Sequence, residues 1–300
     1  MRTTTIFISM FFVLSLVSLE TNAQRQIQIS DPSGLGLGRM EPISKQIFDN
    51  ARYRVYYQMV FSQDVSNLDL RTEAQTILLI GTKHSAFLDH NALRMDSIMN
   101  VLYQTNTNPM EAVAQLTSFR ARFNTTIIKN YPERGSFTFQ EVVGGDNHRY
   151  VDRDVNLNWT LVNEEREIAG HTARKATTTF RGRDYIAWFA PGIPISEGPF
   201  VFSGLPGLIL EIYDTENHYR FTINGLTAVT GNDPIYLVDR DVVHSSRNDV
   251  RRMLRNMSEN PAIAIQALSG GATINISDIS KEEVQRRLSR PRPFNPIERY

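Results

Sequence analysis

YRVYYQMVF, at residues 53–61, is the stretch that decides the fold. Tyr53, Val55, Tyr57, Met59 and Phe61 alternate with Arg54, Tyr56, Gln58 and Val60, the period of two that a half-buried strand needs because successive side chains point to opposite faces. A second strand is expected at 72–81. Over 91–123 the period lengthens to about 3.6, with Met95, Ile98, Met99 and Leu102 on one helical face and Ala112, Leu116, Phe119 and Phe123 on another. Two helices are expected there, the second capped by Asn108 with Pro109 in its first turn and Glu111 reaching back. From 125 to about 229 strands return, punctuated by Gly144-Gly145-Asp146-Asn147, Arg181-Gly182-Arg183-Asp184 and a turn at 214–218. Such short connections imply antiparallel neighbours, since parallel ones need long crossovers. The expected class is therefore mainly β (α+β): a curved antiparallel β-sheet or half-barrel over 51–230, with a helical insertion at about 91–123. The two inserted helices are expected to pack on one face.

The flanks read differently. Arg2 precedes an uncharged apolar run at 6–19 and small residues follow, the order of a secretory signal peptide cleaved after Ala23. Residues 24–50, with Pro32, Gly34, Gly36 and Gly38, read as a flexible lead-in. Residues 231–300 read as a polar, partly helical C-terminal extension, where Ser280 and Glu283 form a capping box and 290–296 an extended tail. No later segment reaches the roughly 20 apolar residues that a membrane helix needs. The expectation is an exported protein of the periplasm or cell envelope with no transmembrane segment. Lys+Arg and Asp+Glu balance at 32 each, which argues against nucleic acid as a partner. The count of 0 Cys excludes disulfides and a lipid-modified cysteine.

Residues 188–213, WFAPGIPISEGPFVFSGLPGLILEIY, place four prolines and four glycines in apolar sequence. Pro206 presets φ in a turn, and Gly204 and Gly207 accept backbone angles closed to other residues. By alternation Leu208, Leu210 and Ile212 face one side, and Ile209, Glu211 and Tyr213 the other. Glu211 is then a carboxylate in an apolar strand, either paired with a cation on a neighbouring strand or orienting a ligand. The motif at Gly204, Leu205, Pro206, Gly207, Leu208 and Ile209 resembles the hallmark of the GLPGLI family of exported Bacteroidetes proteins. The resemblance extends to Trp159-Thr160-Leu161, Glu164, Ile168-Ala169-Gly170-His171, Lys175-Ala176, Trp188-Phe189, Ile193-Pro194, Gly198-Pro199 and Asn295-Pro296-Ile297-Glu298. His171 replaces the usual aromatic, and Ala173 stands where a cysteine is common. The resemblance implies export and a shared motif, with no established activity and no catalytic residue.

Other chemistry is weakly signalled. His84, Asp89, His90, Asp96, His148, His171, His218 and His244 offer ligand atoms without a recognised metal spacing, so no metal and no cofactor are expected. Asp152 with Asp154, and Glu165 with Glu167, each share a strand face as general acid–base pairs do, and as solvated strands also do. Ser203 lacks the G-x-S-x-G elbow of a hydrolase nucleophile. Arg247, Arg251, Arg252 and Arg255 read as the solvated basic face of a short helix.

The functional expectation is a non-enzymatic module that binds an apolar ligand, a lipid or an extended envelope polypeptide against the curved sheet. Phe137, Phe139, Trp159, Trp188, Phe189, Phe200, Phe202 and Tyr213 would line core or pocket, with Trp188, Phe189, Glu211 and Tyr213 as the ligand-binding residues. The alternative is a periplasmic hydrolase using the paired carboxylates.

Overall fold

The computed structural model describes residues 42–107, 111, 115–116, 119–261 and 290–299. The expected signal peptide, most of the lead-in, the cap of the second inserted helix and the capping box at 280–283 lie outside the described residues.

The chain forms β1 (Lys45–Asn50), β2 (Tyr53–Phe61), β3 (Thr72–Ile80), β4 (Ser85–Asp89), α1 (His90–Gln104), β5 (Thr125–Lys129), β6 (Phe137–Val143) and β7 (Asp146–Asp152). It continues through β8 (Thr160–Ile168), β9 (His171–Phe180), β10 (Arg183–Ala190), β11 (Leu208–Asp214), β12 (Tyr219–Ala228), β13 (Pro234–Val238), β14 (Val242–His244) and α2 (Arg247–Glu259). The main sheet has 12 strands in the order β14-β7-β6-β5-β4-β3-β2-β12-β11-β10-β9-β8, and β1 pairs with β13 in a separate ribbon. Every pairing is antiparallel except β14 with β7. The sheet is open, ending on β8 and β14, as the expectation of a curved antiparallel sheet with helices requires.

The alternation that defines β2 survives in three dimensions: Val55, Tyr57, Met59 and Phe61 are buried while their neighbours are half-exposed. Three hairpins turn on two residues with positive φ, Gly144–Gly145, Ala169–Gly170 and Arg181–Gly182. Paired positive φ is the primed turn whose twist matches that of the strands it joins.

Both faces of the sheet are covered. On the inner face, Tyr57, Phe87, Phe139, Tyr185 and Phe221 build the main core, closed by Val250, Met253, Leu254 and Met257 of α2. On the outer face, Ile77, Leu79, Ala86, Leu88 and Ile128 pack with Leu93 of α1 and with Ile235 and Leu237 of β13. Of the described helices, α1 thus covers one face and α2, from the C-terminal segment, the other. Residues 45–50 and 234–244, read from sequence as lead-in and polar extension, supply strands instead.

Asp89 caps α1, its carboxylate accepting from the backbone N–H of Asn91 at 2.8 Å and, through its other oxygen, from Arg122 at 2.8 Å. Tyr236 of β13 donates to Asp96 of α1 at 2.8 Å. Burial pushes the Asp96 carboxyl up to about 6, against the opposing effects of Tyr236 and Lys45. Because the folded value exceeds the unfolded one, folding favours the protonated form. That contribution is complete below about pH 4 and is lost as pH rises through about 6. Asp96→Asn keeps an acceptor for Tyr236 and removes the titration, so it should melt higher than the parent at pH 7 and level with it at pH 4. An equal difference at both pH values would refute the assignment.

Candidate functional site

The segment between β10 and β11 runs across the inner face and fills it. Phe200 meets Phe139 at 6.1 Å between ring centroids, and Phe202 meets Tyr185 at 4.6 Å and Phe180 at 6.0 Å. Lys129, at the end of β5, holds this segment from below. Its Nζ donates to Glu197 Oε2 at 2.9 Å and to the carbonyls of Gly198 at 2.7 Å and Phe202 at 3.3 Å. Ser85 donates to the other Glu197 oxygen at 2.9 Å. Burial lowers the affinity of Lys129 for its proton, and Glu197 opposes that shift. Trp159 anchors the motif from outside, donating to the Ser203 carbonyl at 2.8 Å. Gly207 has φ +154, and a Cβ there would lie 2.2 Å from the Ala190 carbonyl oxygen.

A bulge breaks the expected alternation of β11. Trp188 pairs with Glu211 but Phe189 with Ile209, so Leu210 is an extra residue. Ile209 and Glu211, expected on one face, are separated by it. Ile209 packs inward near Gly198, and Phe189 joins the inner core. Trp188, Glu211 and Tyr213 stay together on the outer face, beside Lys175 and Arg220 by register. Glu211 is buried and accepts from Arg166 and, at 2.6 Å, from Arg220, which is the cation-paired alternative read from sequence. Arg166 also lies 4.1 Å over the Trp188 ring and Arg220 4.1 Å over the Tyr213 ring. Trp188 is only 6% exposed. The four candidate residues are thus divided between two faces, and the outer three are roofed by guanidinium groups.

The remaining candidates are scattered or already partnered. Asp152 accepts from Arg181 at 2.9 Å and Glu165 lies 3.2 Å from Arg174. His148 contacts Ser245 at 2.9 Å, and His171 and His244 are exposed. Asp214, Glu216 and His218 place ligand atoms within 4.8 Å of one another. Arginines fill that space: Arg183 Nη1 donates to Asp214 at 2.8 Å and to His218 Nδ1 at 3.0 Å, and Arg299 pairs with Glu216. Guanidiniums have no acceptor, so Nδ1 of His218 accepts here, and a cation would meet two fixed positive charges.

The tail, read as extended, docks on the inner face. Besides its bonds to Asp214 and His218, Arg183 donates to the carbonyls of Ile297 at 3.1 Å and Pro296 at 2.8 Å and to Asn295 Oδ1 at 2.5 Å. Asn295 donates to the Ser62 carbonyl at 2.7 Å, and Tyr219 donates to the Asn295 carbonyl. Ile297 enters the main core. Glu298 is wholly buried and its Oε2 accepts from Arg247 at 2.7 Å and Arg251 at 2.8 Å. Two of the arginines read as a solvated basic face are therefore largely buried against a carboxylate about 50 residues away in sequence, which no local pattern reveals. Burial disfavours the charged Arg251, but Glu141 and Glu298 outweigh it and raise the guanidinium above its ordinary range.

Between α2 and the docked tail lies a cavity of about 330 Å³, lined by Arg247, Asn248, Arg251, Arg252, Arg255, Phe294, Pro296, Glu298 and Arg299. Arg251 and Arg247 come from one turn and the next of the same helix face, and Arg252 and Arg255 extend outward to solvent.

A model of a family described as "Protein of unknown function (Porph_ging)" matches residues 181–211. The matched segment is β10, the inner loop with its GLPGLI motif, and the start of β11. No curated protein matches the chain. Two solved structures of PNGF-II, in space groups P21 and C2, are similar at 11% identity with TM-scores of 0.46 and 0.45. Each match covers 67% of this chain, which spans about a third (32%) of the length of PNGF-II.

Five guanidiniums border the cavity. Three carboxylates pair with them: Glu298 with Arg247 and Arg251, Asp249 with Arg252 at 2.5 Å, and Glu216 with Arg299. Asp152, 3.8 Å from Arg247, is already held by Arg181, a sixth guanidinium. Glu141 also acts on Arg251, and with it counted the cavity still keeps an excess of positive charge, with Arg252 and Arg255 exposed at its rim. The cavity can neutralise an anion and offers an aromatic ring beside it.

Proposed function

We propose that the chain is an exported GLPGLI-type envelope protein that binds, rather than transforms, a small anionic ligand in the cavity between α2 and the tail. The observation that carries this reading is the set of five arginines around one cavity that also presents Phe294 and Pro296. Convergent charge beside an apolar wall is how ligand sites combine affinity with orientation. The ligand moves from apolar to charged because the apolar candidates Trp188, Phe189 and Tyr213 are roofed or buried, whereas Arg252, Arg255 and Arg299 at the rim of the cavity are exposed. Export rests on the basic, apolar and small-residue order of the first 23 residues. Binding is favoured over the hydrolase alternative because Asp152 and Glu165 each sit against an arginine, which suits a fixed carboxylate rather than a proton carrier.

The test is calorimetric titration of the full chain with inorganic sulfate at low ionic strength. Saturable binding is expected, and Arg252→Gln with Arg255→Gln should weaken it roughly tenfold, as loss of two rim charges implies. Both side chains are exposed and outside the Glu298 pairing, so circular dichroism should be unchanged. Absence of saturable binding, or binding that the double variant leaves intact, would sink the site.

A further inference from the structure

A second cavity, of about 310 Å³, lies on the outer face of the sheet, between α1 and strands β2 and β3. Its α1 side is the stripe His90, Leu93, Arg94, Ser97 and Ile98, residues three and four apart that share one helical face. Leu93 and Ile98 are half-buried and give it aliphatic walls, and Ile77 of β3 closes the bottom. The mouth is cationic. Arg54 of β2 donates from Nε to Asp233 at 2.7 Å, which fixes the guanidinium and leaves donors on its terminal nitrogens. Arg94 is exposed, lies 4.4 Å from the centre of the Phe119 ring and has no carboxylate partner among the described residues. His90 stands against the Tyr56 ring at 5.3 Å between centroids. Burial, and then the charges of Arg94 and Arg54, hold its imidazole below its ordinary affinity for a proton. Both arginines therefore act at one point of the cavity. Ser97 spends its proton on the Leu93 carbonyl at 3.1 Å, so the donors left for a ligand are those of Arg54, Arg94 and His90, each of which keeps exposed surface.

We infer that this cavity binds a small amphipathic anion, an aliphatic chain ending in an acid group, with the acid on Arg94 and Arg54 and the chain against Leu93 and Ile98. A bare inorganic anion would leave the aliphatic walls in water, and an uncharged apolar molecule would leave Arg94 without a counter-charge. Guanidinium forks take carboxylate and phosphate oxygens alike, and a free fatty acid and a monoalkyl phosphate both carry such an acid on a chain. The volume is at the small end of the roughly 300–1,000 Å³ of ligand pockets, which suits one short chain rather than a two-chain lipid. The site shares no residue with the cavity between α2 and the tail, so it goes beyond the anion-binding reading above and does not depend on it.

The experiment titrates the full chain calorimetrically with hexanoate, hexyl phosphate, hexanol and acetate. At least one of the two acids is expected to bind saturably and roughly tenfold or more tightly than both hexanol and acetate, and the tighter acid identifies the head group. Each methylene taken out of water is worth roughly fourfold in affinity, so even partial burial of the chain separates hexanoate from acetate. Arg94→Gln, a change at an exposed side chain, should weaken the tighter acid severalfold. The titration midpoint of His90, followed by NMR of its ring, should rise when that acid is bound, because the anion offsets Arg94 and Arg54. Arg252→Gln with Arg255→Gln should leave both results unchanged. Hexanol or acetate matching the acids, binding that Arg94→Gln leaves intact, or a His90 midpoint that does not move at saturation would overturn the inference. Acid binding lost in the Arg252→Gln, Arg255→Gln variant would also overturn it, by placing the ligand beside α2. Sulfate binding at α2 is judged by its own variants, so either site can fail while the other stands.

Discussion

Replacing Gly207 with alanine is expected to remove about 3–5 kcal/mol of stability, the largest effect of any single methyl group in the motif. Two costs combine. At φ +154 an L side chain is strained, and a Cβ would lie 2.2 Å from the Ala190 carbonyl oxygen and 2.6 Å from its carbon. Those atoms are backbone at the end of β10, so no rotamer change relieves the overlap, and close-packed interiors yield little. Gly204 is the internal control. Its φ is +94, but a Cβ there meets nothing nearer than Trp159 Nε1 at 3.8 Å. Gly204→Ala should therefore lose only the roughly 1–2 kcal/mol of an unfavourable backbone angle. Urea denaturation of the two variants measures the difference directly. Midpoints that fall together would mean the strand and the turn do not approach as described.

Arg183→Met is expected to cost a similar amount, about 3–5 kcal/mol, by a different route. The Arg183 and Asp214 side chains are each 1% exposed, and removing one partner strands the other as a buried charge. The same change deletes all three bonds from Arg183 to Asn295, Pro296 and Ile297. Two readouts separate these losses. Chemical denaturation reports the whole, and adding Asp214→Asn should recover part of it by removing the stranded charge. Limited proteolysis reports the tail, which should become cleavable near 290–299 in both the single and the double variant. A tail that remains protected in Arg183→Met would show that Ile297 and Glu298 hold it without Arg183.

The strand period was legible because burial on β2 alternates as the residues do, and the hairpins were legible because Gly144–Gly145 and Arg181–Gly182 can adopt the angles the turns need. Face assignments on β11 were not, since the bulge at Leu210 depends on where β10 and β11 meet and leaves no local mark. The same limit applied to the site. Arg247 and Arg251 at i,i+4 look like a solvated stripe until Glu298 is brought against them. A signal existed: Glu298 is a single carboxylate in a proline-rich basic tail, and the helix before it is rich in arginine. Opposite charges on segments that each lack a partner are a reason to dock them. Glu211 was legible as an anomaly, and Arg166 and Arg220 resolve it as an ion-paired residue.

The strand order also says how the polypeptide must travel to reach this state. Strands β2 to β7 follow one another across one half of the sheet and β8 to β12 across the other, so each half grows by neighbouring hairpins. The halves join along one seam, β2 against β12, where Tyr53 lies opposite Ala228 and Phe61 opposite Tyr219. Joining ends about 160 positions apart carries a length-dependent entropy cost of about 4–5 kcal/mol before any seam contact repays it. Nucleation within either half is local and fast, whereas the seam is the non-local event that sets the pace of folding. Until it closes, β2 and β12 are two long, unpaired apolar edges, and the interval before closure is when this chain is most exposed to pairing with the wrong partner.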